Sequence, residues 1–116
     1  ECQVHPNYKK KILAARDIDT VVTGKRLGHP VRCLKNPFAR AFGQMEYDSS
    51  LTNEEIEKFG AGSLRKAAVE GDMENGSIMA GQIAALVKEE QPAAQIIREM
   101  FAQAEQLLAE AAKWVR

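Results

Sequence analysis

At 116 residues the chain is long enough for one modest domain with a core of its own. Sixteen Lys and Arg balance sixteen Asp and Glu, so no excess charge favours nucleic acid or an anionic membrane surface. No apolar run approaches the roughly 20 residues a membrane-spanning helix needs, no basic-then-apolar leader opens the chain, and Cys2 and Cys33 make no disulfide framework. Free thiols without an export signal predict a cytoplasmic protein. The first residue is Glu1 rather than a methionine, which suggests an excised or processed piece of a longer chain.

In chain order, His5-Pro6-Asn7 opens a helix, because proline in a first turn lacks only an N–H that would be unpaired there anyway. Tyr8, Ile12 and Ala15 give that helix an apolar face, and Lys9, Lys10 and Lys11 belong in solvent. Asp19 to Thr23 reads as a short strand with β-branched Val21 and Val22, followed by a turn or hairpin marked by Gly24 and Gly28. Pro30 to Leu34 is a second extended segment. Pro37 starts a helix carrying Phe38, Phe42 and Met45, and Tyr47 to Leu51 is a polar linker.

Thr52 with Glu55 fits a capping box, so a helix is predicted from Asn53 to Phe59, ended by Gly60 and Gly62. Ser63 to Val69 is a further short helix stopped by Gly71. Asn75-Gly76 signals a turn and Ser77 an N-cap, which predicts a helix running to about Glu89 with Met79, Ile83, Leu86 and Val87 on one face. Its glycine-preceded N-terminus would offer free amides to an anion. Pro92 opens a last helix in which Ile97, Phe101, Ala104, Leu108, Ala111 and Val115 line one side and Arg98, Glu99, Gln103, Gln106, Glu110 and Lys113 the other. Packing of that apolar side on its own protein is expected over a coiled coil, because the run barely reaches three heptads. The fold class predicted for the chain is mostly α with a few short strands, an α+β arrangement.

Motifs with chemical content are few. Cys2-x-x-His5 and His29-x-x-x-Cys33 have zinc-like spacing, but His5 suits a helix start and His29 a turn, and no metal site is expected. The run from Gly60 to Arg65 approaches the dinucleotide fingerprint but ends on Arg65 and follows a helix rather than a strand, which excludes it. Gly24-Lys25 lacks the rest of a phosphate loop. The two histidines and scattered carboxylates form no triad, so no catalytic residue is assigned. Met79 is flexible and polarisable, suited to an apolar slot, and Gln82 can donate and accept.

Four stretches carry a resemblance: 14–20 (AARDIDT), 28–36 (GHPVRCLKN), 62–72 (GSLRKAAVEGD) and 76–87 (GSIMAGQIAALV). In order and spacing they are similar to the C-terminal region of type II enoyl-acyl-carrier-protein reductases, relatives of the nitronate monooxygenases. Ile78-Met79 beside the Ala-Gly-Gln run favours the reductase. The resemblance implies an FMN-binding (β/α)₈ TIM barrel with a smaller second domain. NAD(P)H would be the donor, an enoyl thioester on acyl carrier protein the substrate, and a homodimer the assembly.

It further implies that residues 1–17 are the last barrel helix, 18–70 the smaller substrate or lid domain, and 71–116 a pocket-facing helix and a closing helix. Ser77, Met79 and Gln82 would contact the cofactor, Met79 also the substrate, while the catalytic histidine would lie upstream of Glu1. Exposed apolar faces are then expected on the first and last helices. Two other functions are compatible with these residues: FMN-dependent oxidation of alkyl nitronates, and a stand-alone helical interaction module built on the last helix.

Overall fold

The computed structural model describes residues 2–113, apart from the side chain of Ala112. Among the described residues, 3–88 form one compact unit, and 89–113 with Cys2 form another. The expected mixture of helices and short strands is present. The first unit holds α1 (Pro6–Leu13), β1 (Thr20–Thr23), β2 (Val31–Leu34), α2 (Pro37–Tyr47), α3 (Asn53–Gly60) and α4 (Ser63–Ala68), then a 3₁₀ helix, Gln82–Leu86. α5 (Ala93–Glu110) belongs to the second unit and continues into a short 3₁₀ turn, Ala111–Lys113.

Local chemistry explains the helix starts. His5 caps α1 by accepting the Asn7 N–H on its ring Nδ1 at 3.1 Å, with Pro6 in the first turn. Asn36 caps α2 through the Ala39 N–H (2.8 Å), and its amide donates to the carbonyls of Met73 (2.9 Å) and Gly76 (2.8 Å). One side chain thereby starts a helix and ties it to a turn about 40 residues away. Thr52 and Glu55 form the predicted capping box, each accepting the other's backbone N–H.

β1 and β2 pair as an antiparallel hairpin in the register Thr20↔Leu34, Val21↔Cys33, Val22↔Arg32, Thr23↔Val31. Two small cores flank it. One gathers Tyr8, Ala15, Leu34, Ala67, Ile78 and Ala84; the other gathers Phe38, Phe42 and Ile56. In the second, the Phe38 and Phe59 rings stack at 5.5 Å and Phe42 tilts against both at 5.8 and 6.3 Å.

The predicted helix from Ser77 to about Glu89 does not form. Residues 77–80 are extended and lie along β2: the Leu34 N–H donates to the Ile78 carbonyl (2.8 Å), and the Ala80 N–H to the Arg32 carbonyl (3.1 Å). Ser77 is therefore no helix cap; its N–H donates to the Ser63 carbonyl at 2.9 Å. The supposed one-sided face of Met79, Ile83, Leu86 and Val87 dissolves with the helix, and so does the offer of free N-terminal amides to an anion. Helical structure begins only at Gln82, as a single 3₁₀ stretch. A free edge of β2 supplies bonds in place of those a helix would have made, and Ile78 is buried by taking them.

The first helix departs from expectation in a second way. Its apolar face is not left open: Tyr8 is buried and Ile12 packs against the same core, while Ala15 is buried beyond the helix end. α5 keeps its apolar side exposed, with Phe101 at 67% and Leu108 at 76%, and none of its residues is buried. Glu99 on its polar side accepts from Gln95 (2.8 Å) and Gln91 (3.0 Å). Val115, expected at the end of that stripe, lies outside the described residues. Among the described residues no helix is long and apolar enough to cross a membrane.

Several exposed carboxylates accept bonds that favour their ionised form. Backbone N–H groups of Asn75 and Glu74, with the Asn75 amide, hold Asp72 below its ordinary value of 3.8. The Thr52 N–H, then its hydroxyl, does the same for Glu55, ordinarily 4.5. The Ser50 hydroxyl, then its N–H, lowers Asp48. A carboxylate whose value is depressed in the folded state contributes stability that is complete above the unfolded value and lost as pH falls through the folded one. The urea unfolding midpoint should therefore hold steady down to about pH 5 and fall between about pH 4.5 and pH 2. A midpoint that rises over that interval contradicts the assignment.

Candidate functional site

The extended strand at 77–80 decides what the site is made of. Side chains alternate across a strand, so with Ile78 in the core its neighbours Ser77 and Met79 project the other way. Both line a cavity of about 300 Å³. Its floor is apolar, built from Leu27 and Val31 of the hairpin and Phe38 and Phe42 of α2. Its polar lining includes Thr23, His29, Glu57 and Ser63. Met79 is 40% exposed.

The Met79 backbone is held from two sides. It pairs with Cys33 through the bonds on either side of it, Leu34 N–H to Ile78 and Ala80 N–H to Arg32. A pair bracketed in that way is the non-hydrogen-bonded kind, so the carbonyl of Met79 points away from β2. There the Tyr8 hydroxyl donates to it at 2.7 Å. Ser77 is fixed by its bond to Ser63, the first residue of α4. The hairpin turn is fixed by Glu46, whose carboxylate accepts the N–H groups of Gly24 and Arg26, both at 2.9 Å. Arg26 in turn donates to the carbonyls of Asp48 (2.7 Å) and Leu51 and to the Asn53 side chain (3.0 Å).

Of the residues the sequence singled out, Ser77 and Met79 come together in the cavity. Gln82 does not line it; it sits exposed at the head of the 3₁₀ helix. Sequence reasoning missed Phe38, Phe42 and Leu27 as pocket residues, although the aromatic pair was recognised as the apolar face of a helix. Asn36, which holds the 73–76 turn against α2, was not singled out as a cap; only Pro37 marked that helix start.

The residues with zinc-like spacing are differently employed. His5 Nδ1 is the α1 cap, and Cys33 is buried with its sulfur 3.8 Å from the Val21 carbonyl and 4.0 Å from the Thr23 hydroxyl. Burial pushes the Cys33 thiol up, which disfavours the thiolate that ligation or nucleophilic attack requires. Among the described residues, no three His, Cys, Asp or Glu side chains are grouped to hold a metal ion.

An apolar slot with a hydroxyl and a thioether on one wall suits the edge of a ring or a short acyl chain. Comparison with known proteins gives the class. The family model for nitronate monooxygenase matches residues 1–103, and the chain belongs to that family. Among solved structures, FabK from Thermotoga maritima, a type II enoyl-acyl-carrier-protein reductase, is 44% identical over 97% of this chain with a TM-score of 0.88. A methionine-to-alanine mutant of the same protein is 40% identical over 97%, with a TM-score of 0.76. The chain spans 35% and 32% of those two chains, about a third of their length. No curated protein matches it.

Proposed function

We propose that this chain supplies one pocket wall of an FMN-dependent enoyl-acyl-carrier-protein reductase, a cytoplasmic homodimer that uses NAD(P)H to reduce the 2,3-double bond of a carrier-bound enoyl thioester. The observation that carries the reading is the placement of Met79 and Ser77 on a core-anchored strand, facing a cavity floored by Leu27, Phe38 and Phe42. Its likeness to FabK at 44% identity supports the reductase.

The residues present fit part of a flavin site. The cavity's apolar floor and the Met79 thioether suit a ring edge or an acyl chain, and the Ser77 hydroxyl suits a polar ring atom. Nothing on this wall is suited to a phosphate, so the phosphate end of FMN would be held by a (β/α)₈ barrel outside this chain. When bound, FMN supplies the hydride transfer. Residues 1–17 would be the last barrel helix, 18–70 the smaller domain, and 71–116 the pocket segment and closing helix. Met79 would touch substrate and flavin, Ser77 the flavin, and Gln82 would reach the flavin from outside the cavity.

The test is NAD(P)H oxidation driven by a crotonyl thioester, measured on the complete protein. Met79→Ala should raise KM for the thioester roughly tenfold and change kcat by less than about threefold, since an apolar contact made equally in ground and transition states is lost. Absence of bound flavin and of thioester-dependent oxidation would overturn the proposal. The family match also favours a second reading, oxidation of alkyl nitronates. Nitronate-dependent oxygen uptake without thioester reduction selects it.

A further inference from the structure

We propose that Tyr8 is a positioning residue for the pocket, acting through the backbone of Met79; the inference rests on the reading of Met79 as a pocket residue. Residues 77–80 run along only one strand, so one side of their backbone has no sheet partner. The carbonyl of Met79 faces that side. An extended segment bonded along one edge alone can slide or twist, and a tilt at Met79 re-aims its long side chain in the cavity.

Tyr8 closes this open side from an element 71 residues away in sequence. Its hydroxyl donates to the Met79 carbonyl at 2.7 Å, while its ring is buried in the core with Leu34 and Ile78. The ring cannot swing without disturbing that core, so the hydroxyl is a fixed point. It stands where the amide of a third strand would stand. α1 is itself anchored, by the His5 N–H on the Ala68 carbonyl (2.8 Å) and the Asn7 amide on the Gly71 carbonyl (3.2 Å). The position of the pocket methionine is thus set by α1 on one side and β2 on the other. Nothing in the sequence of the 76–87 stretch reveals this dependence.

The experiment is a double-mutant cycle in the complete flavoprotein. Tyr8→Phe keeps the ring and removes only the hydroxyl, so the core survives. It should raise KM for a crotonyl thioester about three- to tenfold, the usual weight of one neutral hydrogen bond, and leave kcat within about twofold. In the Met79→Ala background the same substitution should change KM by less than about 1.5-fold, because the side chain it positions is gone. An equal KM penalty in both backgrounds, or a fall in kcat with unchanged KM, overturns the proposal. Amide exchange of residues 78–81 gives a readout that needs no substrate: Tyr8→Phe should speed it about tenfold while exchange in α2 and α3 is unchanged. Unaltered exchange at 78–81 overturns the proposal. A parent protein that fails to reduce the thioester yet shows the faster exchange overturns the reductase reading and leaves the positioning role standing.

Discussion

Ile78→Ala is expected to cost the fold about 2–5 kcal/mol, the range for truncating a fully buried aliphatic side chain that leaves a cavity behind. Ile78 is 1% exposed and sits in the core with Tyr8, Leu34, Ala67 and Ala84. Of those four, Ala67 and Ala84 are small and Leu34 is held by its backbone bond to Ile78, so the hole has little to collapse into it. The segment also has no helix to fall back on: with Ile78 truncated, residues 77–80 keep two bonds to β2, one to the Ser63 carbonyl and one to Tyr8. Ile78→Val, which removes one carbon, should cost only about 1 kcal/mol. Urea unfolding of the parent and both variants checks the ratio. A loss below about 1 kcal/mol for the alanine variant would mean that Ile78 does not anchor the strand.

That strand is also where sequence and structure part company. The helix starts were legible because each is settled within four residues: Thr52 with Glu55, Pro37 at the head of α2, His5 with Pro6. The hairpin was legible from β-branched residues on both sides of glycine turns. Residues 77–86 were misread because the stretch suits a helix locally, with alanines and leucine at helical spacing after a turn and a serine. What overrides it is remote: the free edge of β2, the Ser63 carbonyl and the Tyr8 hydroxyl lie 14 to 71 residues away. The alternation of Ser77, Ile78 and Met79 about the strand is real, but three residues are too few to outweigh a helical pattern three times longer.

The site shows the same division. Met79, Ser77 and Gln82 were singled out together through likeness to a family, and the structure places Met79 and Ser77 along one cavity and Gln82 outside it. In the predicted helix Gln82 would follow Ile78 by one turn. With an extended strand and then Gly81 between them, that geometry is lost. The cavity floor could not be read in advance because it comes from a hairpin and a helix that the sequence places separately. Tyr8 was recognised as core, and its hydroxyl, the part that reaches the site, carried no sequence signal.

Gly24→Ala is expected to cost about 2–5 kcal/mol, and its comparison with Gly28→Ala separates two causes. Both glycines lie in the hairpin turn at positive φ, 79° and 76°, where an L side chain costs roughly 1–2 kcal/mol. At Gly28 a Cβ would meet nothing within 4 Å, so that backbone cost is the whole expected loss. At Gly24 a Cβ would run into the carbonyl of His29, whose own N–H donates to the Gly24 carbonyl at 3.0 Å. Backbone on both sides cannot give way without opening the turn, which adds the roughly 1–3 kcal/mol of an overpacked site. Opening it would also draw Gly24 and Arg26 off the Glu46 carboxylate that both share. Since Thr23, Gly24 and His29 all border the cavity, the Gly24 variant should weaken thioester binding in the complete protein, whereas the Gly28 variant should bind as the parent does. Equal losses of stability at the two positions would show that strain at positive φ, and not the collision with His29, governs this turn.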